Sequence, residues 1–354
     1  MVEWKKLEEI VKRNKGIPIT AGQMSELNSP NGNVRVFAAG QTIADIDEDQ
    51  LPKGCAYTKP SVVVKSRGYI DFEFYDKPFT HKSEMWSYSF EDINLCKYVY
   101  YYLTTKTEEF RKKAKTNSVK LPQLCVSDTD KYQIPIPSLS EQNRIVGILD
   151  TFTDSIDNLK QQIAQRRKQY EFYRDCILKH FDSKETTWKK LSEIAEIFKG
   201  PYITKKNSNE GAVPVVMGGQ KAAYYIDNYN SEGESIVISR SGINAGYVSF
   251  WNQPIFVSDG YRIDNKDLMV KKYLFYFLKS IEDKINLSKK GAGVPHVQSK
   301  FLLNILIPVP PLSEQSRIVS ILDTFEASIS NLEAQLAQRQ KQYEYYRNQL
   351  LTFE

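Results

Sequence analysis

LSEQNRIVGILDTFTDSIDNLKQQIAQRRKQYEFYRDCIL, Leu139 to Leu178, decides the fold because the chain carries it twice. It returns as LSEQSRIVSILDTFEASISNLEAQLAQRQKQYEYYRNQLL, Leu312 to Leu351, with 27 of the 40 aligned pairs identical. A match of that length marks an internal duplication, which has to be settled before any local reading. In the first copy Ile145, Leu149, Phe152, Ile156, Leu159, Ile163, Arg166, Tyr170, Tyr173 and Ile177 follow one another at alternating spacings of four and three. That is the seam of a heptad helix and not a general amphipathic face. The second copy repeats the seam as Ile318, Leu322, Phe325, Ile329, Leu332, Leu336, Arg339, Tyr343, Tyr346 and Leu350.

Each copy reads as one long helix with Ser140 or Ser313 as N-cap and a Glu in the first turn. About 38 residues at 1.5 Å per residue make a rod of roughly 57 Å. Arg166 and Arg339 occupy seam positions where apolar side chains are expected. Two readings stand: the long stems cover the seam while the heads reach solvent or a nearby Glu, or a buried pair sets the register.

Ahead of each copy the duplication continues loosely. Trp4-Lys5-Lys6-Leu7 answers to Trp188-Lys189-Lys190-Leu191, Lys15-Gly16 to Lys199-Gly200, and Gly40-Gln41 to Gly219-Gln220. Lys97-Tyr98 answers to Lys272-Tyr273, and Ile134-Pro135-Ile136-Pro137 to Ile307-Pro308-Val309-Pro310. The chain therefore divides into a globular domain over 1–138, a helical region over 139–181, a second globular domain over 182–311 and a second helical region over 312–354. Strand-like runs such as Ser61 to Lys65 and Ser235 to Ser239, with helix-like stretches from Tyr98 to Phe110 and Tyr273 to Ile285, make both globular domains mixed α/β. The handful of residues around Asp182 to Thr186 cannot return the chain along a rod, since extended backbone covers only ~3.5 Å per residue. The two rods must then pair antiparallel within the chain. The expected fold is α+β: two similar mixed α/β domains separated by two long antiparallel coiled-coil helices, related by a pseudo-twofold axis.

The 354 residues suit about two domains at ~150 residues each. A hydrophobic share of 41% and a charged share of 26% fit a folded globular chain. No apolar run approaches the ~20 residues of a membrane span. The charged start, MVEWKKLEEIVKRNKG, lacks the apolar stretch of a signal peptide. Cys55, Cys96, Cys125 and Cys176 lack paired spacing, which fits a reducing cytoplasm better than a disulfide framework or a zinc site. The net charge of +5 sorts into +2 and +4 on the globular domains against +1 and −2 on the rods. Two similar heads about a dyad, with the positive charge on the heads, suit the reading of two half-sites on a DNA duplex.

Catalysis finds no support in the sequence. Gly218-Gly219 and Gly291-Ala292-Gly293 are too short for a nucleotide or S-adenosylmethionine loop, and no P-loop or amino-methylation motif is present. His81, His180 and His296 stand apart from any cysteine or carboxylate cluster, so no metal site is expected. Asp71-Phe72-Glu73 is ordinary strand alternation.

The LSEQxRIVxILDTF opening, duplicated behind IPIPSL and IPVPPL, resembles the specificity subunit of type I restriction-modification systems, and the resemblance covers essentially the whole chain. It implies two target-recognition domains that read a two-part asymmetric DNA sequence, with the paired helices acting as a ruler between the half-sites. It also implies a subunit without catalytic activity of its own. The partners implied are double-stranded DNA, two modification subunits that bind S-adenosylmethionine and methylate adenine, and restriction subunits that use ATP and Mg. No cofactor is expected in this chain.

Contacts to DNA need base-edge donors and acceptors together with phosphate-binding cations. The residues expected to supply them are Gln41, Ser66, Arg67, Lys115, Asn117 and Ser118 in the first domain, and Gln220, Arg240, Ser241, Asn244, Lys289, Lys290 and His296 in the second. Gly40-Gln41 and Gly219-Gln220 are matched turns, and Ser-Arg with a Gly close behind follows a strand in both domains. The basic runs Arg111-Lys112-Lys113 with Lys115, and Lys289-Lys290, precede matched loops. Arg67 and Arg240 lead, since Arg paired to guanine is the commonest specific contact. Most of the 22 tyrosines belong to core or seam. Two other readings remain open at this point: a single-chain methyltransferase or nuclease with drifted motifs, and a coiled-coil scaffold without a nucleic-acid role.

Overall fold

The structure is a computed structural model that describes residues 2–117, 120–179, 185–217, 221–291 and 293–353. The chain forms two compact units, Met1–Lys160 with Gln335–Glu354, and Gln161–Ala334. The boundary falls inside both long helices, Leu139–Lys179 and Leu312–Leu350, so each unit owns one half of each helix.

In the first unit a four-stranded antiparallel sheet runs in the order Arg13–Lys15, Trp86–Ser89, Ser61–Lys65, Asp71–Tyr75. A three-stranded sheet, Ile43–Ile46, Val34–Phe37, Phe79–His81, adds one parallel pairing. The second unit repeats the plan with Ala195–Lys199, Gly260–Asn265, Glu234–Ser239, Val248–Asn252 and, in the smaller sheet, Tyr225–Ile226, Val213–Val216, Phe256–Val257. The central strands are buried on both faces, which is why they read as continuous β-branched runs. Val62 and Val64 enter the main core of the first unit while Val63 meets Phe37, Phe79 and Met85 on the other face. Ile236, Ile238 and Val237 divide in the same way in the second.

A two-stranded ribbon closes each head and delivers the long helix. Glu3–Lys6 pairs with Gln133–Ile136, and Thr187–Lys190 with Leu306–Val309. Each ribbon carries a proline, which gives up a ladder donor, but its carbonyl is used: Tyr98 Oη donates to Pro135 at 2.6 Å and Tyr273 Oη to Pro308 at 3.0 Å. The Gln of LSEQ has a structural reason. Gln142 and Gln315 are buried, and their amides donate to the carbonyls of Pro137 (2.8 Å) and Pro310 (2.9 Å), tying helix to ribbon.

Two sequence expectations need correction. The long helices start at Leu139 and Leu312, so Ser140 and Ser313 lie inside the first turn. The residues ahead take the capping role: the backbone N–H of Gln142 donates to the Ser138 carbonyl, and the backbone N–H groups of Glu314 and Gln315 to that of Pro311. The single helix expected late in each head is two, Ile93–Thr105 with Thr107–Asn117 and Lys271–Ser280 with Glu282–Leu287. Thr104, Thr105 and Ser280 turn their hydroxyls back onto carbonyls three residues earlier, a bond that competes with the helical ladder at the break.

Within each unit the long helices run antiparallel. In the first, Phe152 stacks on Tyr346 with ring centres 5.3 Å apart, and Arg339 lies 5.6 Å above the same ring. In the second the roles exchange: Phe325 stacks on Tyr173 at 5.6 Å under Arg166 at 5.9 Å, and Arg167 pairs with Glu333. Arg166 and Arg339 therefore cover the seam, their charge over an aromatic face of the opposite helix, and are not buried. Ile145, Leu149, Ile156, Ile163, Ile318 and Leu322 are buried, whereas Phe152, Leu159, Tyr170, Phe325, Ile329, Leu332, Leu336 and Tyr343 are half-buried. Two helices alone leave a seam open along its edges, so full burial is reached mainly where a head covers it.

Candidate functional site

Both heads carry the same backbone clip at the end of the central strand. After Ser61–Lys65 the chain turns through Gly68, φ 75°, whose N–H donates to the Pro122 carbonyl at 2.8 Å, while Leu124 N–H donates to the Ser66 carbonyl at 2.8 Å. After Glu234–Ser239 it turns through Gly242, φ 83°, whose N–H donates to Pro295 at 3.1 Å, while Val297 N–H donates to Arg240 at 2.9 Å. Arg67 bridges Gln123, and Ser241 bridges His296. The left-handed φ is why glycine stands at the centre of both turns.

This clip corrects the sequence match between the heads. Equivalent positions are Ser66 and Arg240, Arg67 and Ser241, Gln123 and His296, so the two arginines are offset by one residue. On a strand-like edge, one residue exchanges the face a side chain occupies. Ser66 is buried, its hydroxyl donating to the Glu84 carbonyl at 2.6 Å, which makes it a structural residue and not a DNA contact. Arg67 is exposed beside it. Arg240 holds Asp259 in an ion pair, and the Ser241 hydroxyl donates to the other oxygen of the same carboxylate. Burial pushes the Asp259 carboxyl up, but the bonds from Ser241 and Arg240 outweigh it and hold the group below its ordinary value. Asp259 also has φ 49°, the one non-glycine left-handed residue among the described residues. The guanidinium of Arg240 is thus aimed by a fixed partner.

The remaining expected contacts divide. Lys115 is exposed at the end of Thr107–Asn117, but the Asn117 amide donates to Asp128 at 2.8 Å, within a structural knot that also holds Lys113 at 3.0 Å. Arg111 bonds the Ile70 carbonyl and Glu108, so the basic run is partly consumed inside the head. Gln41 is exposed on a separate hairpin, closed by Ala38 N–H onto the Thr42 carbonyl. Asn244 is exposed in the turn after Gly242. Lys289 reaches Asn286 at 3.2 Å, and Lys290 exchanges two backbone bonds of 2.9 Å with His296, whose buried Nδ1 has no partner among the described residues. Ser118 and Gln220 lie outside the described residues.

Exposed apolar side chains beside the clip escaped the sequence reading. Ile243 (88% exposed), Leu287 (83%) and Val294 (57%) flank the second clip, and Tyr69 and Leu121 flank the first. Ile243 follows Gly242 and Val294 precedes Pro295, while the Asn286 amide draws Leu287 to the same turn through the Ala245 carbonyl at 2.6 Å. A branched residue between glycines, as in Gly242-Ile243-Asn244-Ala245-Gly246, was the available signal. Donors, cations and apolar groups are the side-chain types that read base edges and thymine methyls in a major groove.

Among the described residues no group of three or more His, Cys, Asp or Glu side chains could hold a metal ion, and no helix is long and apolar enough to cross a membrane. The family model of the type I restriction modification DNA specificity domain matches residues 1–166 and again 184–340. The chain is 30% identical to the specificity subunit of the type I restriction enzyme EcoR124I/EcoR124II of Escherichia coli, over 80% of this chain and 77% of that one. The crystal structure of the type I restriction-modification system S subunit from M. genitalium matches with a TM-score of 0.71 at 18% identity, covering 100% of this chain and 97% of that one. A chain from a structure of the type I R-M system, solved for complex assembly and conformational transition, matches at 0.57 and 16% over 99% and 96%. At such identities the structural likeness is one of fold.

Proposed function

The chain belongs to the type I restriction-modification DNA specificity family and is a specificity subunit; from that premise we propose that each unit reads one half of a two-part asymmetric DNA target. The observation that carries this reading is the repeated clip: one backbone frame in both heads presenting Arg67 and Gln123 in one, and Ser241, His296 and the Asp259-held Arg240 in the other. The same frame with different side chains gives two half-sites of different sequence. The paired long helices set the distance between the half-sites, and their outer faces dock two modification subunits.

The chemistry belongs to those partners. S-adenosylmethionine sits in the modification subunits, ATP and Mg in a restriction subunit, and this chain works in the cytoplasm without catalysing a step. Purified alone with S-adenosylmethionine and DNA, it is expected to transfer no methyl group; transfer without a second subunit would overturn that. Mapping methylated adenines in the host with and without the gene tests the reading as a whole. One asymmetric two-part motif should vanish with the gene, and a motif that is continuous or unchanged would contradict it.

A further inference from the structure

We infer that Asp150 and Asp323 are positioning residues that fix the angle at which each head is carried on its long helix, and with it the spacer length the protein accepts. The inference rests on the half-site reading above and adds to it the residues that make the ruler stiff.

In the first unit Asp150, on the long helix, receives both bonds of a two-pronged donor. Lys97 Nζ lies 2.6 Å from Oδ2, and Tyr101 Oη donates to Oδ1 at 2.7 Å. Both donors come from the head helix Ile93–Thr105, four residues apart and therefore on one face. The ammonium also sits 5.5 Å above the Phe74 ring, which comes from an outer strand of the four-stranded sheet.

The second unit rebuilds the joint from the same residue types, with both donors on one carboxylate oxygen. Lys272 Nζ lies 2.8 Å from Asp323 Oδ1, Tyr276 Oη bonds the same carboxylate, and the ammonium sits 5.9 Å above Phe250. Lys272 and Tyr276 are again four apart, on Lys271–Ser280. Both phenols are buried, and burial above all, with the facing carboxylates adding to it and the Thr153 hydroxyl opposing it at Tyr101, pushes both above the ordinary tyrosine range.

Apolar packing holds a head to its helix without preferring a direction. Two charge-assisted bonds converging on one carboxylate do prefer one, because both lengths and angles are lost together when the head rocks. Outside a few short matched stretches the heads have diverged, yet the Lys, the Tyr and the Phe beneath the Lys stand at equivalent places in both, facing the Asp of the duplicated helix. The joints differ at one position. Where Thr153 approaches Tyr101 at 3.3 Å, Glu326 lies 2.9 Å from the Tyr276 hydroxyl as a second acceptor for its single proton, and accepts from Tyr170 at 3.2 Å. The second joint therefore has a spare acceptor for its phenol, and loss of the aspartate should loosen it less.

The test uses the assembled specificity and modification subunits carrying Asp150→Asn, Asp323→Asn or both, with methylated sites mapped by sequencing. Both half-site sequences should persist while methylation spreads to spacers one base pair longer or shorter. The spread should exceed wild type at least tenfold for Asp150→Asn and be smaller for Asp323→Asn. A spacer as strict as wild type in the assembled double variant overturns the inference, and so does relaxed base preference with a strict spacer. Should the aspartate variants fail to assemble, Tyr101→Phe removes only the hydroxyl and decides the matter by the same readout. A wild-type complex that methylates no two-part site would remove the half-site reading and this inference with it.

Discussion

The two clips differ in side chains and agree in backbone, whereas the two long helices agree in both. At the clips the glycine, the proline carbonyl and the paired amides recur, yet Ser66 stands where Arg240 stands and Arg67 where Ser241 stands. Along the helices Phe152 and Phe325 lie in the same sandwich of an arginine and a tyrosine from the opposite helix. The contrast teaches that backbone hydrogen bonds can hold a loop in place while its side chains vary freely, but a seam in which each helix is the other's partner leaves its side chains little such freedom.

That contrast can be broken most severely at the helices. Four residues inserted at the middle of the first long helix shift its second half along the seam, so that Tyr173 and Arg166 no longer meet Phe325 while Phe152 still meets Tyr346. Assembly or half-site spacing should be lost, as read by methylated-site mapping, and an unchanged spacer would show that the seam does not set it.

At the clips the effects should be one-sided. Arg240→Ala removes the counter-charge of Asp259 and the guanidinium held at the clip, and should cost ~1–3 kcal/mol in binding the second half-site while sparing the first. Arg67→Ala should do the reverse with a smaller cost, because no carboxylate among the described residues holds Arg67 in the clip as Asp259 holds Arg240. Binding of the complex to duplexes altered in one half-site at a time measures both. Equal losses at both half-sites would mean that the arginines bind phosphates and do not read bases.

The sandwiches should be equivalent. Phe152→Ala and Phe325→Ala each remove a half-buried ring, and each should cost about 1–2 kcal/mol of stability, below the ~3–5 kcal/mol of a fully buried ring. Denaturant unfolding checks whether the two costs match. Smallest are the helix-start pairs, Glu141 with Arg144 and Glu314 with Arg317. The arginine bonds hold both carboxyls below their ordinary value. Their contribution is therefore present above the ordinary glutamate value and lost as pH falls through the lowered one. These pairs are largely exposed, so Glu141→Gln or Glu314→Gln should change stability by no more than ~0.5 kcal/mol at neutral pH, and the difference from wild type should close on acidification.

The duplication, the seam and the strands were legible in the sequence because each is a local or periodic pattern. The clip was not, since it joins Gly68 to Pro122 and Gly242 to Pro295 across more than fifty residues through backbone groups that carry no sequence signature. Aligning the heads on Ser-Arg therefore gave a register one residue off, and placed buried Ser66 among the contacts. The bond of Asn117 to Asp128 was hidden for a related reason: the partner lies beyond a loop, and a polar residue engaged within a head looks the same in sequence as one with no partner there. The helix breaks at Lys106 and Ile281 depend on hydroxyls that fold back on the ladder, a choice that composition leaves open.

The most direct test of the central claim is an exchange of one whole head. Residues 1–138 are replaced by the corresponding segment of a relative with a different target, the complex is assembled with its modification subunits, and the methylated motif is sequenced. One half-site should become the relative's while the other half-site stays as in the wild type. A motif altered in both halves, or in neither, would contradict the assignment of one head to one half-site.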